Sequence, residues 1–492
     1  MLNNLTAANP IKRPPSVAII GGGTAGSTVA IRLAEAGVEV HLFEKNASLI
    51  NSPPMCHLHA GGNLYREISD EDCKTLMRQC IDIAKLYPES IDVRPTVITV
   101  PKRDSGTASA LLPRLHTLRD YYQALVAEDA SNQLLGDPAQ YFQVFDEEEL
   151  AALSKLPPVA IPTTTEEWLI PVTQLVALEK LQLPLIAVQE YGWNIFRLAA
   201  AATLRLANLP TAQVYLNTAI SQMQPVEQGW QLSFTDTQGE IQTLNADFVV
   251  NACGFRTGII DDQAGVKVQR MVEFKASYLS EWRGEHSYQG QLPEIIFHGE
   301  RGTPHGMAQF TPYPQGIFQL HGMTESITLF KDGLTHSNDS SSQPPINPAY
   351  LGYIEQGWDK TILNTRTQNA IEYVSEFIPS FAQAVPVDNA LYGGQQVPSE
   401  DITTRVADLQ VFANKRYAIA ENVKANSALD VADGVVEALI TAQLLPSHAR
   451  QRPVWQPLAR EAVDELAAKL AAWRQYPDAM AKVNHALVLP PA

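Results

Sequence analysis

Cysteine is scarce: Cys56, Cys73, Cys80 and Cys253 are the only four in 492 residues, and no two form a CxxC pair. That excludes a disulfide scaffold and a paired-thiol redox motif, and points to a reducing compartment. Basic residues are also in deficit, with 36 Lys and Arg against 53 Asp and Glu and a formal net charge of −17. Surfaces of that sign repel a phosphate backbone and no basic stripe interrupts them, so nucleic acid is not an expected partner. No run of about 18 apolar residues offers a membrane span. The stretch from Met1 to Ser16 is polar and ends in Lys12, Arg13, Pro14 and Pro15, without the apolar core of a signal peptide. Cytoplasmic residence is therefore the expectation, with peripheral contact to a membrane left open.

What is present suits a globular enzyme. Hydrophobic residues make up 45% and charged residues 18%, with aromatics spread along the chain. The length exceeds what one core usually organises, which predicts two intertwined domains. The run Ser16-Val-Ala-Ile-Ile breaks into Gly21-Gly-Gly-Thr-Ala-Gly26 and then into helical sequence from Thr28 to Ala36, ended by Gly37. Val38 to Glu44 reads as a second buried strand, which completes one right-handed crossover between parallel strands.

Gly21, Gly23 and Gly26 fill the three positions of a dinucleotide fingerprint. The first permits the tight turn, the second lets backbone approach a pyrophosphate, and the third lets helix and strand pack closely. Amides at the helix start, through Thr24, Ala25 and Gly26, then face the phosphates. Glu44, at the end of the next strand, is placed to accept both ribose hydroxyls, and its charge disfavours a 2′-phosphate. The context of strand, turn, helix and acid makes this a nucleotide site rather than a glycine turn of some other α/β protein.

Further along, Asp70 to Leu86 has helical spacing with Ser69 as N-cap. Ile91 to Val100 reads as a strand. An inserted block from about Lys102 to Thr173 carries helical stretches at Leu115 to Ala130 and Glu147 to Lys155 and ends in a Pro- and Thr-rich loop. Tyr191 to Asn208 is an Ala-rich helix, followed by strands at Ala212 to Leu216, Gly229 to Thr235 and Ile241 to Asn251. Asp247-Phe-Val-Val-Asn-Ala-Cys-Gly254 is a buried strand ending at glycine, where a parallel sheet presents its carboxyl edge to a ligand. Val268 to Phe330 alternates apolar and polar residues as an antiparallel sheet over a pocket does. Arg366 to Ile378 is helical, Arg416 to Ala420 a strand, Val431 to Leu444 a helix, and Leu458 to Trp473 an amphipathic helix of unassigned role.

These stretches resemble the D-amino-acid-oxidase-like superfamily of FAD enzymes. The resemblance rests on the fingerprint through Glu44-Lys45, the loop Met55-Cys-His-Leu-His-Ala-Gly-Gly-Asn-Leu-Tyr65, the strand-like Leu216-Asn-Thr-Ala-Ile220-Ser221 with Asp247 to Gly254, and Arg416 to Gly434. It implies FAD as cofactor, held by Gly21, Gly23, Thr24, Ala25, Gly26, Glu44 and Lys45, with Ile220 and Gly254 on the nucleotide side. His57, His59, Gly61 and Gly62 belong to the segment that embraces flavin in this superfamily. His59 falls near a histidine that some relatives bind covalently to FAD. Leu58 and Ala60-Gly61-Gly62 depart from that pattern, so a noncovalent lining role for His57 or His59, or a plain loop position, is expected. Lys424 and the backbone amides near Asn426 and Ser427 are candidates to stabilise charge on the flavin, set against the plainer role of a helix cap. No second fingerprint for NAD is present, so electrons are expected from an organic substrate.

The fold class expected is α/β, a Rossmann-type FAD-binding domain with an inserted antiparallel-sheet substrate domain and a helical C-terminal extension. The FAD-binding domain takes residues 1–90, 175–262 and 385–450, the substrate domain 91–174 and 263–384, and the extension 451–492. The function expected is hydride transfer from a small 2-hydroxy acid or related carboxylate to flavin, then to quinone or oxygen. Amine or amino-acid oxidation on the same fold, and a non-catalytic flavin-binding sensor, are the alternatives. Arg66 and Arg405 are candidate carboxylate anchors, since guanidinium matches a carboxylate in two-pronged geometry. His305 and His321 are candidate bases for an alcohol proton, with Gln309 and Tyr313 as further hydrogen-bonding groups.

Overall fold

The computed structural model describes residues 13–53, 58, 68–284, 288, 290–406, 408–421 and 424–489. The loop residues His57, His59, Gly61, Gly62 and Arg66 lie outside them. The nucleotide fingerprint sits in a six-stranded sheet whose spatial order is Asp408–Phe412, Tyr417–Glu421, Phe248–Asn251, Ser16–Ile20, Glu39–Phe43 and Ala212–Tyr215. All neighbours are parallel except the first pair. Ser16–Ile20 (β1) is buried along its whole length, as a central parallel strand covered on both faces must be. Thr24–Glu35 (α1) crosses from β1 to Glu39–Phe43 (β2) and packs against the helix Ala428–Thr441. Asp70–Leu86 (α2) begins where expected, with the Ser69 side chain accepting from the Asp72 amide.

A larger sheet of nine strands lies beside it. Its order is Leu334–His336, Met271–Glu281, Ile317–Gly322, Ala308–Pro312, Glu294–Phe297, Thr96–Pro101, Leu181–Val188 and Phe142–Phe145, with Val385–Val397 on the other side of Met271–Glu281. The expectation of a purely antiparallel sheet is corrected at one place: Glu294–Phe297 runs parallel to Thr96–Pro101. Those strands are nearly 200 residues apart in sequence, which leaves ample chain for a crossover. Two strands expected in the nucleotide domain, Leu181–Val188 and Val385–Val397, also pair into this sheet.

Alternation gives the larger sheet two unlike faces. Ala276, Tyr278, Ile295, Phe297, Phe310, Phe318 and Leu320 pack with Leu363, Ile371 and Val374 of the helix Lys360–Ser375 in one apolar core. Several of their sequence neighbours point the other way and are polar: Lys275 and Ser277 on one strand, Gln319 and His321 on the next, Gln309 and Thr311 on the third. Gly393, the cross-strand partner of Lys275, lies so close to Pro53 that a Cβ there would come within 3.0 Å of its ring. The polar face is therefore turned toward the segment that follows β2.

Two local expectations differ. The strand from Ile91 to Val100 is broken into Ile91–Asp92 and Thr96–Pro101, since Pro95 has no amide to give a ladder. Thr165–Leu175 is a helix rather than a loop, opened by a capping box between Thr164 and Glu167. The C-terminal helix Arg460–Trp473 buries Val463, Ala467 and Ala471, at i, i+4 and i+8, against Phe196 and Ala200. No described helix is long and apolar enough to cross a membrane.

Candidate active site

The turn after β1 is dictated by close approach. Gly21 has a φ of +103°, and a Cβ there would lie 2.4 Å from the Ala252 carbonyl oxygen; at Gly26 a Cβ would lie 1.9 Å from the Gly21 carbonyl oxygen. No larger residue fits either position. Gly23 is different, because among the described residues nothing lies within 4 Å of where its Cβ would project. The helix α1 opens there with no side-chain cap and no acid in its first turn. The first-turn amides of Thr24, Ala25 and Gly26 have no helical acceptor and present the positive end of the helix dipole to that open space.

Glu44 closes the other side. Its Oε2 accepts from the Gly22 amide at 2.8 Å, and its Oε1 accepts from the Asn46 amide at 2.8 Å and the Asn46 side chain at 2.7 Å. Oε2 keeps a second lone pair for a hydroxyl. Lys45 follows it on the surface. The Thr218 amide donates to the Glu44 carbonyl and the Asn217 amide to that of Asn46, both at 2.9 Å, which brings Ile220 beside the end of β2. At the end of Phe248–Asn251 the Cys253 thiol donates to the Ile20 carbonyl at 3.2 Å, and Gly254 turns away with a φ of +60°. Burial pushes the Cys253 thiol well up from its ordinary value, so it stays protonated. An anion cradle with open approach and a buried acid at the strand end is what FAD's diphosphate and ribose require.

Residues 16–393 match the DAO family, FAD dependent oxidoreductase. The chain belongs to that family. No curated protein matches its sequence. Among solved structures, this DAO-family chain is similar in fold to L-proline dehydrogenase from P.horikoshii, with 13% identity, a TM-score of 0.56, and 88% of this chain and 95% of that one covered. Glycine oxidase from Geobacillus kaustophilus gives 14%, 0.50, 90% and 97%. The glycerol-3-phosphate dehydrogenase from Bacillus halodurans, complexed with FAD, gives 12%, 0.51, 95% and 74%.

In this FAD-dependent oxidoreductase, Lys424, Asn426 and Ser427 sit where a strand, Tyr417–Glu421, leads into the helix Ala428–Thr441. The Asn426 side chain is buried and donates to the Leu76 carbonyl at 3.3 Å, so it ties this turn to α2. The Ser427 hydroxyl donates to the Lys424 carbonyl at 2.6 Å. Ser427 leaves the helix N-terminus without a side-chain cap, but its own amide, expected as a donor to flavin, is taken up by the Lys424 carbonyl at 3.1 Å.

The two candidate histidines part company. His305 is not on the sheet but in the exposed turn between Glu294–Phe297 and Ala308–Pro312, where Gly302 and Pro304 break the alternation. His321 stands on the polar face, half-buried, with Nδ1 2.7 Å from the Ser277 hydroxyl and Nε2 3.1 Å from the Met323 sulfur. A thioether only accepts, which assigns the N–H to Nε2 and leaves Nδ1 to accept from Ser277. Gln309, the cross-strand partner of His321, donates to Glu294 at 2.7 Å, and Arg94 holds the same carboxylate at 2.8 Å. Tyr313 donates to Gln319 at 3.3 Å. Arg405 is half-buried and donates to the Ile402 and Thr404 carbonyls at 2.7 and 2.9 Å. Lys275, Ser277 and Gln395 were not among the expected residues. The alternation in Glu273-Phe-Lys-Ala-Ser277 carries that signal, because it puts three polar side chains on one face of a strand.

Proposed function

We propose that this flavoenzyme is a dehydrogenase of small 2-hydroxy acids or related carboxylates and passes its electrons to a quinone or to oxygen. The observation that carries the reading is the Ser277–His321 pair at 2.7 Å on the sheet face turned toward Pro53. Removing hydride from an alcohol carbon leaves a hydroxyl proton to be taken up. Nδ1 of a neutral His321 holds the lone pair for it, and the Ser277 hydroxyl, already donating to that nitrogen, relays a proton without moving either side chain. FAD, when bound, supplies the acceptor for the hydride. Arg405 is the candidate anchor for the substrate's acid group.

Amine or amino-acid oxidation is the second reading. It is favoured by the polar but uncharged Gln309, Thr311 and Gln319 on the same face, which orient an amine that binds deprotonated and needs no base. Anaerobic mixing separates the two: bleaching of the flavin by 2-hydroxy acids supports the first, bleaching only by amines the second. A flavin that no substrate of either class reduces would mark a binding protein without turnover.

A further inference from the structure

The strap that leads into the C-terminal helix, residues 449–458, lies against the helices that carry the cofactor cradle. Arg32, in the last turn of α1, donates to the Ala449 carbonyl at 2.7 Å and to that of Arg450 at 3.1 Å. The Trp455 indole donates to Glu35, also on α1, at 2.9 Å. Between these contacts Arg452 reaches three aspartates: Asp82 on α2 at 2.9 Å, and Asp433 and Asp430 on the helix Ala428–Thr441 at 2.6 and 3.7 Å. The helices supply the remaining cations. Arg78 on α2 holds Asp430 at 2.6 Å and Asp82 at 3.1 Å, and Arg32 holds Asp433 at 2.8 Å. Three guanidiniums and three carboxylates therefore form one continuous network. Glu35 and Glu437, which flank it, have partners of their own in Trp455 and Arg450. A single half-exposed ion pair contributes little, but forked guanidiniums that each join two elements fix the placement of those elements.

The joined helices are the ones on which the cofactor's expected contacts depend. The first-turn amides of α1 form the diphosphate cradle. The helix Ala428–Thr441 follows the turn of Lys424 to Ser427 and has Asp430 in its own first turn. The Asn426 side chain ties that turn to α2 through the Leu76 carbonyl at 3.3 Å. We propose that Arg452 is a positioning residue for FAD: by joining α2 to the helix Ala428–Thr441, it holds these helix ends at the spacing the cofactor requires, so that docking of the C-terminal extension and retention of FAD are coupled. Without Arg452, Asp82, Asp430 and Asp433 share two guanidiniums, and the repulsion between them drives α2 from its neighbour. The coupling is reciprocal, because a cofactor that draws the helix ends together also favours the docked strap. It depends on the FAD site alone and not on which substrate is oxidised.

Dilution of the holoenzyme into buffer without free FAD tests it, since released flavin is read by its fluorescence. Arg452→Met is expected to release FAD about tenfold faster than the native enzyme, within the range of a coupling between linked sites, while the far-ultraviolet circular dichroism stays native. Arg452→Lys, which keeps the charge but not the fork, should fall between the two. Arg450→Gln, at a 54% exposed side chain of the same strap paired with Glu437, should release FAD at the native rate. Where Arg452→Met fails to fold, Asp82→Asn/Arg452→Met replaces it: Arg78 keeps Asp430 and Arg32 keeps Asp433, so no carboxylate is stranded and only the tie to the extension is cut. Reciprocity gives a second measurement, because in the folded variant excess FAD should slow tryptic cleavage within the helix Arg460–Trp473. Native release rates in the folded Arg452→Met variant or its paired replacement, or cleavage indifferent to FAD, overturn the proposal.

Discussion

The Arg474 guanidinium, in the C-terminal extension, donates to the carbonyl of Ser52 at 2.9 Å. It also lies 3.4 Å from the carbonyls of Ile50 and Asn51, and 4.9 Å from the centre of the Phe196 ring. No carboxylate is within ion-pair distance of it among the described residues, and burial lowers its pKa. A buried cation satisfied by carbonyls and an aromatic face is committed to holding the segment that leaves β2. The extension is thereby tied to Ile50–Ser52, the segment leading to the loop residues expected to embrace flavin. Arg474→Ala is expected to lose about 1.5–3 kcal/mol of that attachment and to release flavin on gel filtration. Arg474→Lys should retain part of it, because a point charge replaces the fork. Full flavin content in the alanine variant would show that the strap does not bear on the cofactor.

The fingerprint glycines predict two separable defects. Gly26→Ala forces a Cβ to within 1.9 Å of the Gly21 carbonyl oxygen, so it should lower the melting temperature even of the apoprotein, at a cost of about 1–3 kcal/mol. A Cβ at Gly23 meets no atom of the described residues within 4 Å, so the Gly23→Val apoprotein should melt close to the native chain while flavin binding is lost. Thermal melts and flavin absorbance on the two variants check the contrast. Flavin retained by Gly23→Val contradicts the placement of the diphosphate.

How far the sequence carries depends on how local each feature is. The β1–α1–β2 unit and α2 were legible because one strand, one glycine turn and one N-cap residue, Ser69, decide them within a few residues. Thr165–Leu175 was obscured by Pro171 and its threonines, although the capping box from Thr164 to Glu167 was the better signal. His305 looked like a sheet residue only because the alternation from Val268 to Phe330 was read as continuous across the glycines of its turn. The ties that shape the site join distant residues, such as Arg474 with Ser52 and Lys275 with Gln395. Their partners are chosen by tertiary packing, and no period in the sequence encodes them.

Burial pushes the Cys73 thiol, on the inner face of α2, up to about 12. The neutral thiol is the form that folding favours. Its contribution to stability is whole below the ordinary thiol value and is lost only as pH climbs toward 12. At pH 8 native Cys73 should therefore resist iodoacetamide, since the thiolate is the nucleophile, and should label once the chain is unfolded in guanidinium. Peptide mapping reads the outcome. Native labelling at the rate of an ordinary exposed cysteine would mean that α2 opens from the core it packs in.

The Ser277–His321 pair makes the sharpest demand on the chemistry. If His321 accepts the hydroxyl proton, His321→Gln keeps a side chain of similar reach but supplies no base, and anaerobic flavin reduction by a 2-hydroxy acid should slow by about 10²–10⁴-fold. Ser277→Ala removes the donor to Nδ1, so the ring loses its fixed orientation and the slowing should be smaller. The proposed anchor for the substrate's acid group, Arg405, is a separate side chain, so the apparent affinity should change little in either variant while the limiting rate falls. An amine substrate that binds deprotonated does not need this base, and its rate should be nearly untouched. Stopped-flow reduction with both substrate classes reads each term separately. A His321→Gln enzyme that bleaches at the native rate with hydroxy acids removes His321 from the proton path.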